Sequence, residues 1–275
     1  MTNRRIDGTL CHTDIYGMRI LLTNDDGIYA PGLAAMERQL RNVGDVTVAS
    51  PLTEQSGVGH AITYLTPLMA REVFNEQQQR RGWAVEGSPA DCVKLAICAL
   101  LPERPDLVVS GINSGMNAGI NVLYSGTVAA AIEGAFFGIT SVAVSLEYHD
   151  APRYDIAAEI AARVIGQLLE QPAAVGRLYN LNIPMRALTE PAEVKVVPMA
   201  TAPWGEDFQP RIDPRGRPYF WANGLQPDPP PGIATDLSEL RAGNITITPL
   251  NFDLSDREKI SEMRDWNFLA SKPGR

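Results

Sequence analysis

Asp25 and Asp26 are neighbouring carboxylates in the run Thr23-Asn24-Asp25-Asp26-Gly27, directly after an apolar stretch. Two adjacent carboxylates repel each other unless a cation joins them. A small set of hard oxygen donors suits Mg²⁺ or Mn²⁺, with water completing the shell. A polar turn in which Asp26 caps the next helix uses the same residue types. A second run, Ser110 to Gly119, carries glycines at 111, 115 and 119 that let backbone approach a ligand closely. Within it, Asn113 offers a carbonyl oxygen to a cation or an amide to a phosphate; a Gly/Asn-rich turn is the plain alternative. In Tyr124-Ser125-Gly126-Thr127-Val128, Ser125 or Thr127 can serve as an ordinary helix N-cap. The same helix start presents N–H groups and positive dipole to an anion. The run Glu54 to His60 places Ser56, a weak metal ligand and good phosphate contact, beyond another strand; a surface loop is the alternative reading. Ser88 and Pro89 read as N-cap and first helical residue.

The elements that position these residues alternate. Met18 to Thr23 is a continuous apolar run, as expected of a strand buried on both faces. Pro31 to Asn42 reads as a helix with Leu33, Met36 and Leu40 on one face. Strands follow at Asp45 to Ser50, Asp106 to Ser110, Thr140 to Leu146 and Leu178 to Ile183. Helices follow at 89–100, 125–137 and Asp155 to Glu170. This alternation predicts an α/β fold, Rossmann-like, with a mostly parallel sheet flanked by helices. Four polar or Gly-rich loops then follow strands of one sheet and converge on one rim, where open α/β sheets bind ligands. Beyond about residue 190 Pro and Gly become frequent. Short β-prone pieces at Val194 to Val197, Tyr219 to Trp221 and Ile245 to Thr248 read as a β-hairpin appendage used in oligomer contacts. A last helix near Asp253 to Arg264 is expected to return to the domain. Residues 1–17 are polar and unpatterned, and read as a disordered extension before the core of 18–190 and the late segment of 191–275.

Composition narrows the function classes. The formal charge of −8 disfavours a broad nucleic-acid surface, which needs a basic face. Cys11, Cys92 and Cys98 have neither zinc-knuckle nor redox spacing. No apolar run approaches the roughly 20 residues that span a bilayer, and the expected location is the cytoplasm. A small phosphorylated substrate remains compatible, because one cation and a few backbone N–H groups hold a phosphate inside an acidic protein.

The order and spacing of MRILLTNDDGI, QSGVGHAIT, GSPADCV, SGINSGMNAG, YSGTVAAAIEG, DPRGRPY and ITITPL resemble the SurE family of stationary-phase survival proteins, from Met18 to about Leu250. The resemblance implies a 5′/3′-nucleotidase holding one divalent cation, Mg²⁺ or Mn²⁺, per subunit. The family's ligands fall here on Asp25, Asp26, Ser56 and Asn113. Asn24 and the turn Ser125, Gly126 and Thr127 match positions expected around the phosphate, alongside Ser56 and Asn113. Catalysis is expected of Asp25 and Asp26. The partners implied are nucleoside monophosphates, other small phosphate esters, and copies of the chain in a homodimer or homotetramer, with the late hairpin and C-terminal segment exchanged. Asp236 matches a TD motif more loosely, and the first 17 residues depart from the usual pattern. A phosphoaspartate mechanism needs a second acid at Gly27. A serine hydrolase would show GxSxG, and a dehydrogenase GxGxxG. The rival from another class is a nucleotide-sensing module without turnover.

Overall fold

Hydrophobic runs that are buried on both sides must be sandwiched between layers, and the chain is built that way. The computed structural model describes residues 17–171, 176–202, 205–225, 232–266 and 268; the expected extension at the N-terminus lies outside them except for Gly17. The strands are β1 (Met18–Thr23), β2 (Gly44–Pro51), β3 (Ala70–Phe74), β4 (Arg80–Val85), β5 (Leu107–Ser114), β6 (Thr140–Leu146), β7 (Leu178–Ile183), β8 (Val194–Val196), β9 (Gly205–Ile212), β10 (Pro218–Leu225) and β11 (Ile245–Leu250). The helices are α1 (Pro31–Leu40), α2 (Pro89–Leu95), α3 (Gly126–Phe136), α4 (Tyr154–Leu169), α5 (Asp236–Arg241) and α6 (Arg257–Met263). The helix expected over 89–100 is present, but its second half, Ala96–Leu100, is wound as a π-type turn.

Nine strands form one sheet in the order β3-β4-β2-β1-β5-β6-β7-β11-β8. The six from β4 to β7 are mutually parallel; β3 and β11 pair antiparallel at either side. From β1 the chain winds outward through β2 in one direction and resumes at β5 in the other. The junction between β1 and β5 is therefore the topological switch point, where a crevice opens beyond the strand ends. Alternation along β1 sorts the layers. Ile20 and Leu22 pack with Leu33 and Met36 of α1 and Ala157 and Ala161 of α4. Leu21 faces the other way, against Val93 of α2 and Ala130 of α3. Burying a leucine fully contributes roughly 1.5–3 kcal/mol, so truncating fully buried Leu33 to Ala is expected to cost about 2–5 kcal/mol.

The late β pieces do not share one fate. Tyr219–Trp221 lies in β10, which pairs with β9 as a separate antiparallel hairpin. Val194–Val196 and Ile245–Leu250, expected in the appendage, instead extend the main sheet past β7. The sheet thus runs beyond residue 190, because an apolar strand such as Ile245-Thr-Ile-Thr completes the core against β7. Helix α6 buries none of its residues, so it does not pack back into the domain as expected; Phe252, ahead of it, meets Phe136 edge-on at 4.8 Å.

Candidate active site

The switch-point crevice is walled by the loops that follow β1, β2 and β5 and by the start of α3. After β1 the chain turns sharply. Gly27 takes φ +101°, open to glycine at little cost, and Asn24 is buried inside the turn. Its Nδ2 donates to Gly27 O at 3.1 Å, its Oδ1 accepts from Gly27 N at 3.2 Å, and the Ser50 hydroxyl also donates to Oδ1. Asn24 therefore shapes the loop rather than facing a ligand with a free amide. From β4, Arg81 pairs with Glu37 at 2.6 Å and donates to Ile28 O at 2.8 Å, tying down the far end of the same loop.

Asp25 is almost fully buried, at 5% exposure. The Thr127 hydroxyl donates to its Oδ1, and the Thr127 backbone also bonds to the carboxylate. Burial nevertheless pushes the Asp25 carboxyl up from the ordinary aspartate value, with these bonds opposing the rise and Glu54 adding to it. Asp26 is more open. Its pKa is pushed up to about 6, first by burial, then by the charges of Asp25 and Glu54, against one bond from Ser114 N to Oδ2 at 3.3 Å. Both acids are thus strained as anions, the electrostatic condition that a bound cation relieves.

The loops from β2 and β5 close on this pair. Gln55 N donates to Asp25 O at 2.8 Å, bringing Ser56 alongside, although the Ser56 hydroxyl itself donates to Glu54 at 2.6 Å. In β5 the pairing with β6 shifts between Ser110 and Asn113, an irregularity of the kind that re-aims a side chain. A Cβ on Gly111 would stand 2.3 Å from Val144 O, and one on Gly32 of α1 would stand 2.1 Å from Ile112 O; both glycines permit the close approach. Asn113 Nδ2 donates to Gly115 O at 2.8 Å, and among the described residues its Oδ1 accepts no hydrogen bond. Ser125 caps α3 by accepting from Val128 N at 3.1 Å. Gly126 lies where a Cβ would stand 3.0 Å from Asp25 Cβ.

Asp25, Asp26, Ser56, Asn113 and the Ser125–Thr127 turn therefore surround one crevice, with Ser125 spent on capping and Thr127 on Asp25. Among the described residues no three His, Cys, Asp or Glu side chains gather into a cation cluster. A cation here would rely on two carboxylates, the Asn113 carbonyl oxygen, the Ser56 hydroxyl and water, a donor set that suits Mg²⁺ or Mn²⁺ rather than Zn²⁺. Glu54, which raises both aspartates, and Tyr154, whose hydroxyl approaches Ser114 and feels the charge of Asp26, escaped the sequence reading. Glu54 stands beside Ser56 in the sequence and could have been weighed with it. Nothing local marks Tyr154, which arrives from α4 across more than a hundred residues. Asp236, the looser match, is fully buried and accepts from Gly119 N at 2.7 Å and Ala200 N at 2.8 Å; it anchors the end of the glycine loop from outside the crevice.

The description Survival protein SurE belongs to the family model that matches residues 20–206. A protein named 5′-nucleotidase SurE from Rhodopirellula baltica is 58% identical over 91% of this chain and 99% of its own. Another of that name, from Carboxydothermus hydrogenoformans, is 44% identical over 90% of this chain and 96% of its own. The crystal structure of the SurE protein from Aquifex aeolicus superposes with a TM-score of 0.77 at 33% identity, covering 90% of this chain and all of that one. Among the described residues no helix is long and apolar enough to cross a membrane. With the carboxylate pair, the glycine loop and the helix start in one crevice and this likeness along nearly the whole length, the chain belongs to the SurE survival protein family.

Proposed function

We propose that this protein is a metal-dependent phosphomonoesterase that releases phosphate from nucleoside 5′- and 3′-monophosphates. The reading rests on one observation above all: two adjacent, desolvated carboxylates at the switch point of the sheet, in a chain whose close relatives are named 5′-nucleotidases. Asp25, Asp26, Asn113 and Ser56 would hold Mg²⁺ or Mn²⁺, which when bound neutralises charge on the phosphate and makes a water more acidic.

The chain's own residues divide the remaining work. Thr127 holds Asp25 in place through its hydroxyl. Asp26, more open and retained by a single long bond, is the acid able to take a proton from water. Backbone N–H groups at the start of α3, beside Asp25, stabilise phosphate oxygens. Asn113 and Ser56 orient the ester. A serine nucleophile is unsupported: the Ser56 hydroxyl lies on Glu54, while His60 Nε2 pairs with Glu133 at 2.8 Å. The exposed hairpin, carrying Phe208, Ile212, Phe220 and Trp221, and the outlying C-terminal segment would be exchanged in a homodimer or homotetramer.

The test is phosphate release from 5′-AMP, 3′-AMP and 5′-GMP with Mn²⁺ or with EDTA. Release with the metal and none with the chelator is expected. No metal-dependent release from any of them would leave a nucleotide-binding module without turnover.

A further inference from the structure

Two amides stand in β7 where a strand buried on both faces ordinarily carries apolar side chains. Asn180 and Asn182 are both fully buried. Being two residues apart, they point to one face of the sheet. On that face Leu178 and Ala143 meet Val128 and Ala131 of α3. Ser145 of β6, also fully buried, stands in register with Asn182 on one side and with Asn113 on the other. Burying such groups is costly unless each finds a hydrogen-bond partner, so their partners say what they are for.

All three hold one loop residue, Asn117. Its N–H donates to Asn182 Oδ1 at 2.8 Å. Its carbonyl oxygen accepts from Asn182 Nδ2 at 3.1 Å and from Asn180 Nδ2 at 2.7 Å. Its side-chain Nδ2 donates to Ser145 Oγ at 2.9 Å. A carboxamide offers donors and an acceptor in one plane, so Asn182 grips both backbone groups of Asn117 as a neighbouring strand would. The loop needs this grip. Residues 115–118, between β5 and the short 3-10 helix Gly119–Leu123, belong to no helix or strand, and Gly115 takes φ +121°. The same stretch sets the direction of Asn113. Asn113 Nδ2 donates to Gly115 O at 2.8 Å, and Gly115 N donates to Leu146 O at 2.8 Å. With its amide nitrogen turned to Gly115, Asn113 has its carbonyl oxygen left for a cation. Two residues separate Gly115 from the gripped backbone of Asn117.

We infer that Asn182, assisted by Asn180 and Ser145, is a positioning residue for the cation site: it fixes the Asn117 backbone, and through Gly115 the direction of the Asn113 carbonyl oxygen. None of the three touches the cation or the ester. The inference rests on the proposed cation reading of the crevice, and it is tested without turnover. Mn²⁺ binding is measured from the paramagnetic resonance of the free ion, with no substrate present, in wild type, Asn182→Ala and Leu33→Ala. Amide exchange is followed in the same metal-free proteins. Leu33 packs on the other face of the sheet, so Leu33→Ala controls for lost stability alone. Asn182→Ala is expected to weaken Mn²⁺ about tenfold, as for partners that orient a metal ligand from outside its shell. It should also speed exchange at Gly115 and Asn117 beyond any change in Leu33→Ala, which keeps wild-type Mn²⁺ affinity. Ser145→Ala, which removes one hydroxyl, is the second variant should Asn182→Ala fail to fold, and it should weaken Mn²⁺ about threefold, the loss of one hydrogen bond. A wild type that binds Mn²⁺ while the folded variants bind it as Leu33→Ala does, with or without faster exchange, would overturn the positioning role and leave the cation site standing. A wild type that binds no Mn²⁺ would overturn both.

Discussion

Asp25 and Asp26 are both disfavoured as anions by their burial. Replacing Asp25 by Asn should cut phosphate release on the order of 100-fold or more, by analogy with the loss of one preorganised electrostatic contact; near-normal steady-state turnover would refute its role. Asp26 allows a test independent of turnover. Its pKa in the folded, metal-free protein is about 6 against an ordinary 3.8. A raised carboxyl favours folding fully below its unfolded value, and that contribution is lost as pH rises through the folded one. In EDTA, Asp26→Asn should therefore melt on the order of 2–4 °C above wild type at pH 8, with the gap closing toward pH 4. Adding Mn²⁺ should raise the wild type and leave the variant behind. A gap that ignores pH would contradict the electrostatic reading. Asp25, Asp26 and Asn113 were legible in the sequence because oxygen donors after buried strands leave a local trace. The engagement of Asn24 in its own turn, and of Thr127 with Asp25, was not, since each depends on a partner fixed only by the fold.

Among the elements, the loops are held by side chains that never enter the crevice. His60 ends the loop that carries Ser56 and reaches Glu133 of α3, itself only 3% exposed, while stacking on Phe136 at 5.6 Å between ring centres. Glu133→Gln keeps the shape and weakens this tie, so the loop should exchange its amide hydrogens faster at Gln55 to Gly59; unchanged exchange there would show that the pair does not hold the loop. Asp236→Ala removes the acceptor of the buried Gly119 and Ala200 amides. Each unsatisfied donor costs about 1–3 kcal/mol, so denaturant unfolding should report a loss of roughly 2–6 kcal/mol. The sequence displayed β1, β6 and β7 end to end, because strands buried on both faces are dense in apolar residues even where Arg19, Ser141, Asn180 or Asn182 interrupts them. It hid β3 and β4. Those strands form the sheet edge, β3 has no fully buried residue, and β4 opens on Arg80 and Arg81, so neither periodicity nor an apolar run marks them. Helix α5, six residues long, is similarly too short to show a face.

In the whole molecule, the alternation of strand and helix foretold the parallel sheet, and with it the convergence of the loops, but not the strand order. Which strands flank β1 follows from packing, and the reversal at β1 and β5 is what brings Asp25 and Asn113 to one crevice. The late segment was the least legible, because short β-prone pieces look alike whether they extend a sheet, as β8 and β11 do, or stand apart, as β9 and β10 do. The hairpin exposes Phe220 and Trp221 at 62% and 61%, an apolar surface of the kind that marks an interface. Light scattering on a sizing column should find wild type as a dimer or larger, and the double variant Phe220→Asp, Trp221→Asp as a smaller species; a wild-type monomer at micromolar concentration would contradict exchange of the hairpin. The most direct test of the cation site is a crystal soaked in Mn²⁺ with diffraction recorded at the manganese edge. An anomalous peak is expected between the carboxylates of Asp25 and Asp26, with Asn113 turned toward it. A map with no peak there, at a manganese concentration that saturates phosphate release, would contradict it.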